Sequence, residues 1–137
     1  MEKPGVGLGV ILTKGDSILL GKRKNSHGEG TWSFPGGKLE FYEQFINCAK
    51  REVKEETDID IEPLPPYPIA ITNDFFKEEN QHWVTIYMRA RTNQEPKIME
   101  PKKCEKWDWF DWNYLPNLNL FVPVKNLIKQ NYNPFRK

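Results

Sequence analysis

The stretch "REVKEETDI" (Arg51–Ile59) carries Glu52, Glu55 and Glu56 within five residues. On a helix, like charges at i,i+4 cost roughly 0.2–0.5 kcal/mol per pair, so their accumulation needs a reason. Just upstream, Ile46, Ala49 and Val53 recur at i, i+3 and i+7. That apolar stripe predicts a helix over 42–57. At 100° per residue the three glutamates fall within an arc of about 100° that adjoins the stripe. They therefore sit at the edge of the buried face. Two readings are open for them. One is a solvated face with Arg51 and Glu55 as an i,i+4 ion pair. The other is a divalent-metal site, because hard cations take oxygen ligands and Mg²⁺ leaves positions for water and phosphate.

Outward from the helix, the pattern changes from period 3.6 to period two. "GVGLGVILTK" (5–14) alternates Val6, Leu8 and Val10 with Gly5, Gly7 and Gly9, and reads as a strand. Glycines along one face leave room for a second backbone, a ring or a ligand. "GDS" (15–17) is a turn and "ILLGKRK" (18–24) a second strand, so the pair predicts a hairpin. "NSHGEGTWS" (25–33) reads as a loop, and "FPGGKLEF" (34–41) has turn chemistry at its centre. "EPLPPYP" (62–68) cannot be helical. "YPIAITNDFF" (67–76), "HWVTIYMRAR" (82–91) and "WDWFDW" (107–112) read as strands, and "VPVKNLIKQN" (122–131) as a helix. The order β-β-loop-α-β-β-β-α predicts an α/β fold, a mixed sheet covered by helices on both faces.

Length and composition narrow the classes. A chain of 137 residues fits one domain, 1–137. Cys48 and Cys104 form no C-x-x-C pair, so neither a disulfide framework nor a zinc site is expected. No leader peptide and no membrane span of roughly 18 apolar residues is visible, and a cytoplasmic protein is expected. Net charge is +1, from 20 basic and 19 acidic residues, which argues against a nucleic-acid polymer as partner. His27 and His82 lack metal-ligand spacing and read as ordinary polar residues.

From Gly37 to Ile59 the sequence runs G-x5-E-x7-R-E-V-x-E-E-x-D-I. This resembles the Nudix box, the signature of hydrolases of nucleoside diphosphates linked to another group. Every fixed position of that pattern is met except one, where Asp58 replaces glycine. The position follows the helix, where a left-handed conformation is expected, and Asp is among the few residues other than Gly that adopt it. The resemblance extends to "LLGKRK" (19–24), "NDFFKEEN" (73–80), "MEPKKCEKWDWFDW" (99–112) and "NPF" (133–135). It is closest to the MutT-like (d)NTP pyrophosphatase branch, including plant and animal enzymes for oxidised nucleotides such as 8-oxo-dGTP.

The resemblance implies an α/β/α sandwich around a mixed sheet and a Mg²⁺-dependent hydrolase, with Mn²⁺ as a substitute. It implies metal-binding carboxylates at Glu52, Glu55 and Glu56, joined by the Gly36 carbonyl. Arg51 would orient a box glutamate with Glu43 as its partner. Glu105, or else Glu100, would complete the site. Arg23 and Lys103 are the candidates for the phosphates. Phe34, Gly36, Thr85 and Phe121 are the candidates for the base. The look-alikes carry an aromatic pair before the last helix where this chain has Phe121-Val122. The products would be a (d)NMP and pyrophosphate. A homodimer is implied, with Trp32 and Trp83 as interface candidates and Trp107, Trp109 and Trp112 as sheet packing. Two alternatives stay open: an isoprenoid diphosphate such as geranyl diphosphate, or another nucleoside-diphosphate derivative, as substrate; and a non-catalytic nucleotide sensor.

Overall fold

The computed structural model describes residues 2–25 and 27–135. Strands β1 (Gly5–Lys14) and β2 (Ser17–Arg23) form the expected hairpin, turning at Gly15. Two short strands follow, β3 (Trp32–Ser33) and β4 (Gly36–Lys38), then helix α1 (Phe45–Thr57). Strands β5 (Ala70–Phe76), β6 (Gln81–Arg91) and β7 (Cys104–Asp111) come next. A 3-10 helix, Trp112–Asn117, leads to helix α2 (Val122–Lys129).

The sheet runs β3-β2-β1-β6-β5, with β4 added on β1 and β7 on β2. β1 and β6 are parallel and the other pairs antiparallel. The alternation along β1 sorts the core into two layers. Leu8, Val10 and Leu12 pack with Cys48, Ala49 and Val53 of α1 and with Met88 and Ala90. Ile11 packs on the other face with Tyr87, Trp112, Leu115 and, from α2, Val124 and Leu127. The result is the expected α/β/α sandwich. Among the described residues no helix is long and apolar enough to cross a membrane.

The differences from expectation lie at short elements and boundaries. α1 begins at Phe45 rather than 42, because Tyr42 has a positive φ and the Glu43 amide closes a turn on the Glu40 carbonyl. β3 and β4 lie inside segments read as loop and turn, and strands of two or three residues are too short to show a period. Trp32 is buried against Phe110 within the α2-side core, and is not available to an interface. Asp58 is left-handed (φ 63°, ψ 23°) and donates its N–H to the Lys54 carbonyl. Its carboxylate faces the ammonium groups of Lys54 at 3.2 Å and Lys97 at 3.3 Å.

Candidate active site

The carboxylates of α1 meet the paired glycines of "PGG". The Gly36 amide donates to Glu56 Oε1 at 2.7 Å. A side chain at Gly36 would collide with the Leu8 carbonyl of β1, and one at Gly37 would occupy the position of the Glu52 carboxylate. Only glycine at both positions lets β4 lie against β1 and receive the two glutamates. Burial pushes the Glu56 carboxyl up to about 8, helped by the negative charges of Glu52 and Glu100 and opposed by the Gly36 hydrogen bond and Arg23. Glu52 is also raised, first by burial.

Arg51 organises the remaining acids. Its Nε and Nη2 donate to the two Glu43 oxygens at 2.8 and 3.0 Å, a bidentate pair, and Nη2 also reaches the Lys38 carbonyl. Its Nη1 meets Glu52 at 2.7 Å and Glu55 at 3.5 Å. The guanidinium holds Glu43 down at about 2. Arg51 is itself raised, first by that hydrogen bond to Glu43. A planar fork suits such convergence, which a lysine would not reproduce.

Arg51, Glu52, Glu55 and Glu56 line a glutamate-bearing cavity of about 560 Å³ with Arg23, Glu100 and Lys103. Lys103 stands on the exposed rim, 4.0 Å from Glu100. Glu105 does not line the cavity: it lies on β7, where its carboxylate faces Lys22 at 3.7 Å. The donor set is all oxygen, as a hard divalent cation requires. Among the described residues no three His, Cys, Asp or Glu side chains gather as a ready-made metal cage. Glu52, Glu56 and Glu100 repel one another when ionised, and a bound divalent cation would relieve that repulsion.

A second cavity, of about 300 Å³, adjoins the first. Gly7 and Gly9 of β1 form its floor, and Phe34, Phe76, Trp83, Tyr87 and Phe121 its walls. Arg23, Gly36, Gly37 and Lys38 line both cavities. Arg23 lies 4.0 Å over the Phe121 ring and donates to the His27 carbonyl, and burial lowers its pKa. The four residues predicted for the base, Phe34, Gly36, Thr85 and Phe121, are thus brought together. Three others were missed. Phe76 and Trp83 are ordinary strand residues in sequence. His27 sits 4.1 Å from Phe76, beside residues 28–31 that fold back on Arg23 through backbone hydrogen bonds.

A mixed sheet between helices, with a row of glutamates on α1 beside a flat apolar cavity, has its counterpart among known hydrolases. Residues 3–130 match the NUDIX domain, and the chain belongs to the Nudix family. It is similar to the "ADP-ribose pyrophosphatase" of Methanocaldococcus jannaschii, 41% identical over 84% of this chain and 66% of that protein. It is 29% identical to the mouse (Mus musculus) "8-oxo-dGDP phosphatase NUDT18" over 88% of this chain and 34% of that one. The chain thus spans between a third and two thirds of the length of these relatives. Its fold superposes on a MutT NUDIX hydrolase from Burkholderia pseudomallei with a TM-score of 0.79. That match is 29% identical and covers 93% of this chain and 98% of the other.

Proposed function

We propose that this Nudix hydrolase converts a nucleoside triphosphate, (d)NTP, to (d)NMP and pyrophosphate, residues 1–137 acting as one domain. The observation that carries the reading is the shared wall. A largely apolar cavity of about 300 Å³ adjoins the glutamate-bearing cavity through Arg23 and the Gly36-Gly37 pair. A base and a phosphate chain of one molecule fit that arrangement.

Glu52, Glu55, Glu56 and the Gly36 carbonyl are the groups assigned to hold Mg²⁺ or Mn²⁺. When bound, the cation neutralises phosphate charge and lowers the pKa of water. Glu56, held by the Gly36 amide, is the carboxylate assigned to take the proton of the attacking water. Arg51 acts through Glu52 and Glu55, holding both in place. Glu100, rather than Glu105, supplies the additional carboxylate, since it shares the cavity with Glu52 and Glu56. Arg23 and Lys103 meet the phosphates. Phe34, Phe121 and Trp83 enclose the base.

Among the relatives, those named for 8-oxo-dGDP and 8-oxo-dGTP support an oxidised purine as one substrate. The 41% identity to a protein named ADP-ribose pyrophosphatase favours a second reading, a nucleoside diphosphate sugar in the same two cavities. The protein is proposed to act in the cytoplasm as a homodimer, which light scattering at micromolar concentration tests. The substrate test is a comparison of kcat/KM for dNTPs, 8-oxo-dGTP, ADP-ribose and geranyl diphosphate. A nucleoside triphosphate is expected to lead. ADP-ribose ahead of every triphosphate selects the second reading. Geranyl diphosphate ahead of all nucleotides refutes both.

A further inference from the structure

A carboxylate that no role above uses lies beneath the apolar cavity. Asp74 of β5 is 0% exposed. Asn126 of α2 donates to its Oδ1 at 2.8 Å. The hydroxyls of Thr72 and Thr85 converge on its Oδ2 at 3.1 and 2.6 Å. Tyr87 donates its O–H to the Pro123 carbonyl and lies 3.0 Å from Thr72 Oγ1, whose single proton is shared between Asp74 and the Tyr87 oxygen. A buried acid is costly where an apolar side chain would pack, and this one is retained under a ligand-sized space.

The direction of the hydrogen bonds decides what the cavity offers. A threonine has one O–H and two lone pairs. Asp74 accepts the hydrogen bond that the Thr85 hydroxyl donates, so Thr85 Oγ1 has only lone pairs to offer any other partner. That oxygen borders the open floor of the cavity: a methyl group placed on Gly7 would lie 3.7 Å from it. We infer that Asp74 sets the hydrogen-bond polarity of the cavity, fixing Thr85 as an acceptor that selects a base whose facing edge carries an N–H. Asp74 is a positioning residue and Thr85 the residue that touches the base. The inference rests on the proposed nucleotide function and adds the rule by which bases are ranked.

The test is calorimetric binding of deoxynucleoside monophosphates, which needs no turnover. Four pairs each remove an N–H at a different position: guanine against hypoxanthine (the 2-amino group), guanine against 2-aminopurine (N1–H, with O6), adenine against purine (the 6-amino group), and 8-oxoguanine against guanine (N7–H, with O8). In the native protein at least one pair favours the N–H-bearing member by about tenfold, the worth of one matched buried hydrogen bond. Thr85→Val erases that preference and Thr85→Ser restores it. Asp74→Asn presents an amide N–H to Thr85, freeing the hydroxyl to donate into the cavity, and weakens or inverts the preference. Thermal melts confirm folding, and Thr85→Val decides the matter if Asp74→Asn does not fold. A preference unchanged in Thr85→Val, or absent from all four pairs in the native protein, overturns the inference while nucleotide binding persists. No binding of any monophosphate overturns it together with the proposed function.

Discussion

The two cavities meet along the same few residues and were written into the sequence in opposite ways. The acidic one is local. Glu43, Arg51, Glu52, Glu55 and Glu56 lie on or just before one helix, and the glycine pair that receives them stands a few residues upstream. The apolar one is assembled from β1, His27, the β3–β4 segment, the β5–β6 hairpin and the start of α2, pieces that lie far apart along the chain. Chemistry that depends on fixed spacing is carried by a helix. Recognition that depends on shape is carried by register across the sheet. Catalytic and binding changes should therefore separate.

The largest effect is expected at Glu56. Glu56→Gln should lower kcat by roughly 10²–10⁴-fold, the range of a lost general base, while the Gly36 hydrogen bond survives. The same change should stabilise the metal-free protein. A carboxyl raised to about 8 in the folded state holds its proton more tightly than in the unfolded chain. Stability is therefore lost as pH rises from the ordinary carboxylate range through about 8. The variant should melt higher than the parent at pH 8 and alike below pH 4, as calorimetry with EDTA will show.

Next comes Glu43, which lies outside the cavity lining and acts on the site chiefly through Arg51. Glu43→Gln should cost about 10–100-fold in kcat or metal affinity, the usual effect of removing a supporting group around a metal site. Its pKa is depressed to about 2, so its contribution to stability is present above the ordinary carboxylate range and lost as pH falls toward 2. The variant should show a flatter acid limb in urea titrations between pH 4.5 and 2.

The apolar cavity is probed without disturbing the acids by Gly7→Ala. The added methyl meets its neighbours only at ordinary contact distance, 3.7 Å or more, so folding is tolerated and the floor rises. KM for nucleotides should rise by about 3–30-fold, the order of a misplaced methyl in a binding pocket, with kcat nearly unchanged. A fall in kcat with KM constant would mean that the floor does not face the base.

The smallest effect separates two acids. Glu105→Gln should change kcat/KM by less than about twofold, as for an exposed pair with Lys22. Glu100→Gln should cost more, because Glu100 acts electrostatically on both Glu52 and Glu56. The reverse order would return the additional carboxylate to Glu105.

Period and spacing made the sandwich legible in the sequence. Strands β1 and β6 and helix α1 are long enough to show their alternation or stripe, and Asp58 declared the left-handed helix end. β3 and β4 stayed hidden because they hold two and three residues. In the site, the acids and Arg51 follow from fixed intervals along one helix. Asp74 escaped notice although a signal existed. In "AITNDFF" Thr72, Asp74 and Phe76 alternate onto one buried face, and an acid at such a position demands partners. Those partners, Thr85 and Asn126, are set by strand pairing and helix docking, which no local pattern reveals.

The central claim is that one molecule occupies both cavities and is cut at its phosphates. The direct measurement is a phosphorus NMR time course of a purine dNTP with the protein and Mg²⁺, repeated with EDTA. The account predicts pyrophosphate and the nucleoside monophosphate growing together, and no change after chelation. Orthophosphate with a nucleoside diphosphate, or an intact triphosphate beside folded, Mg²⁺-loaded protein, would contradict it.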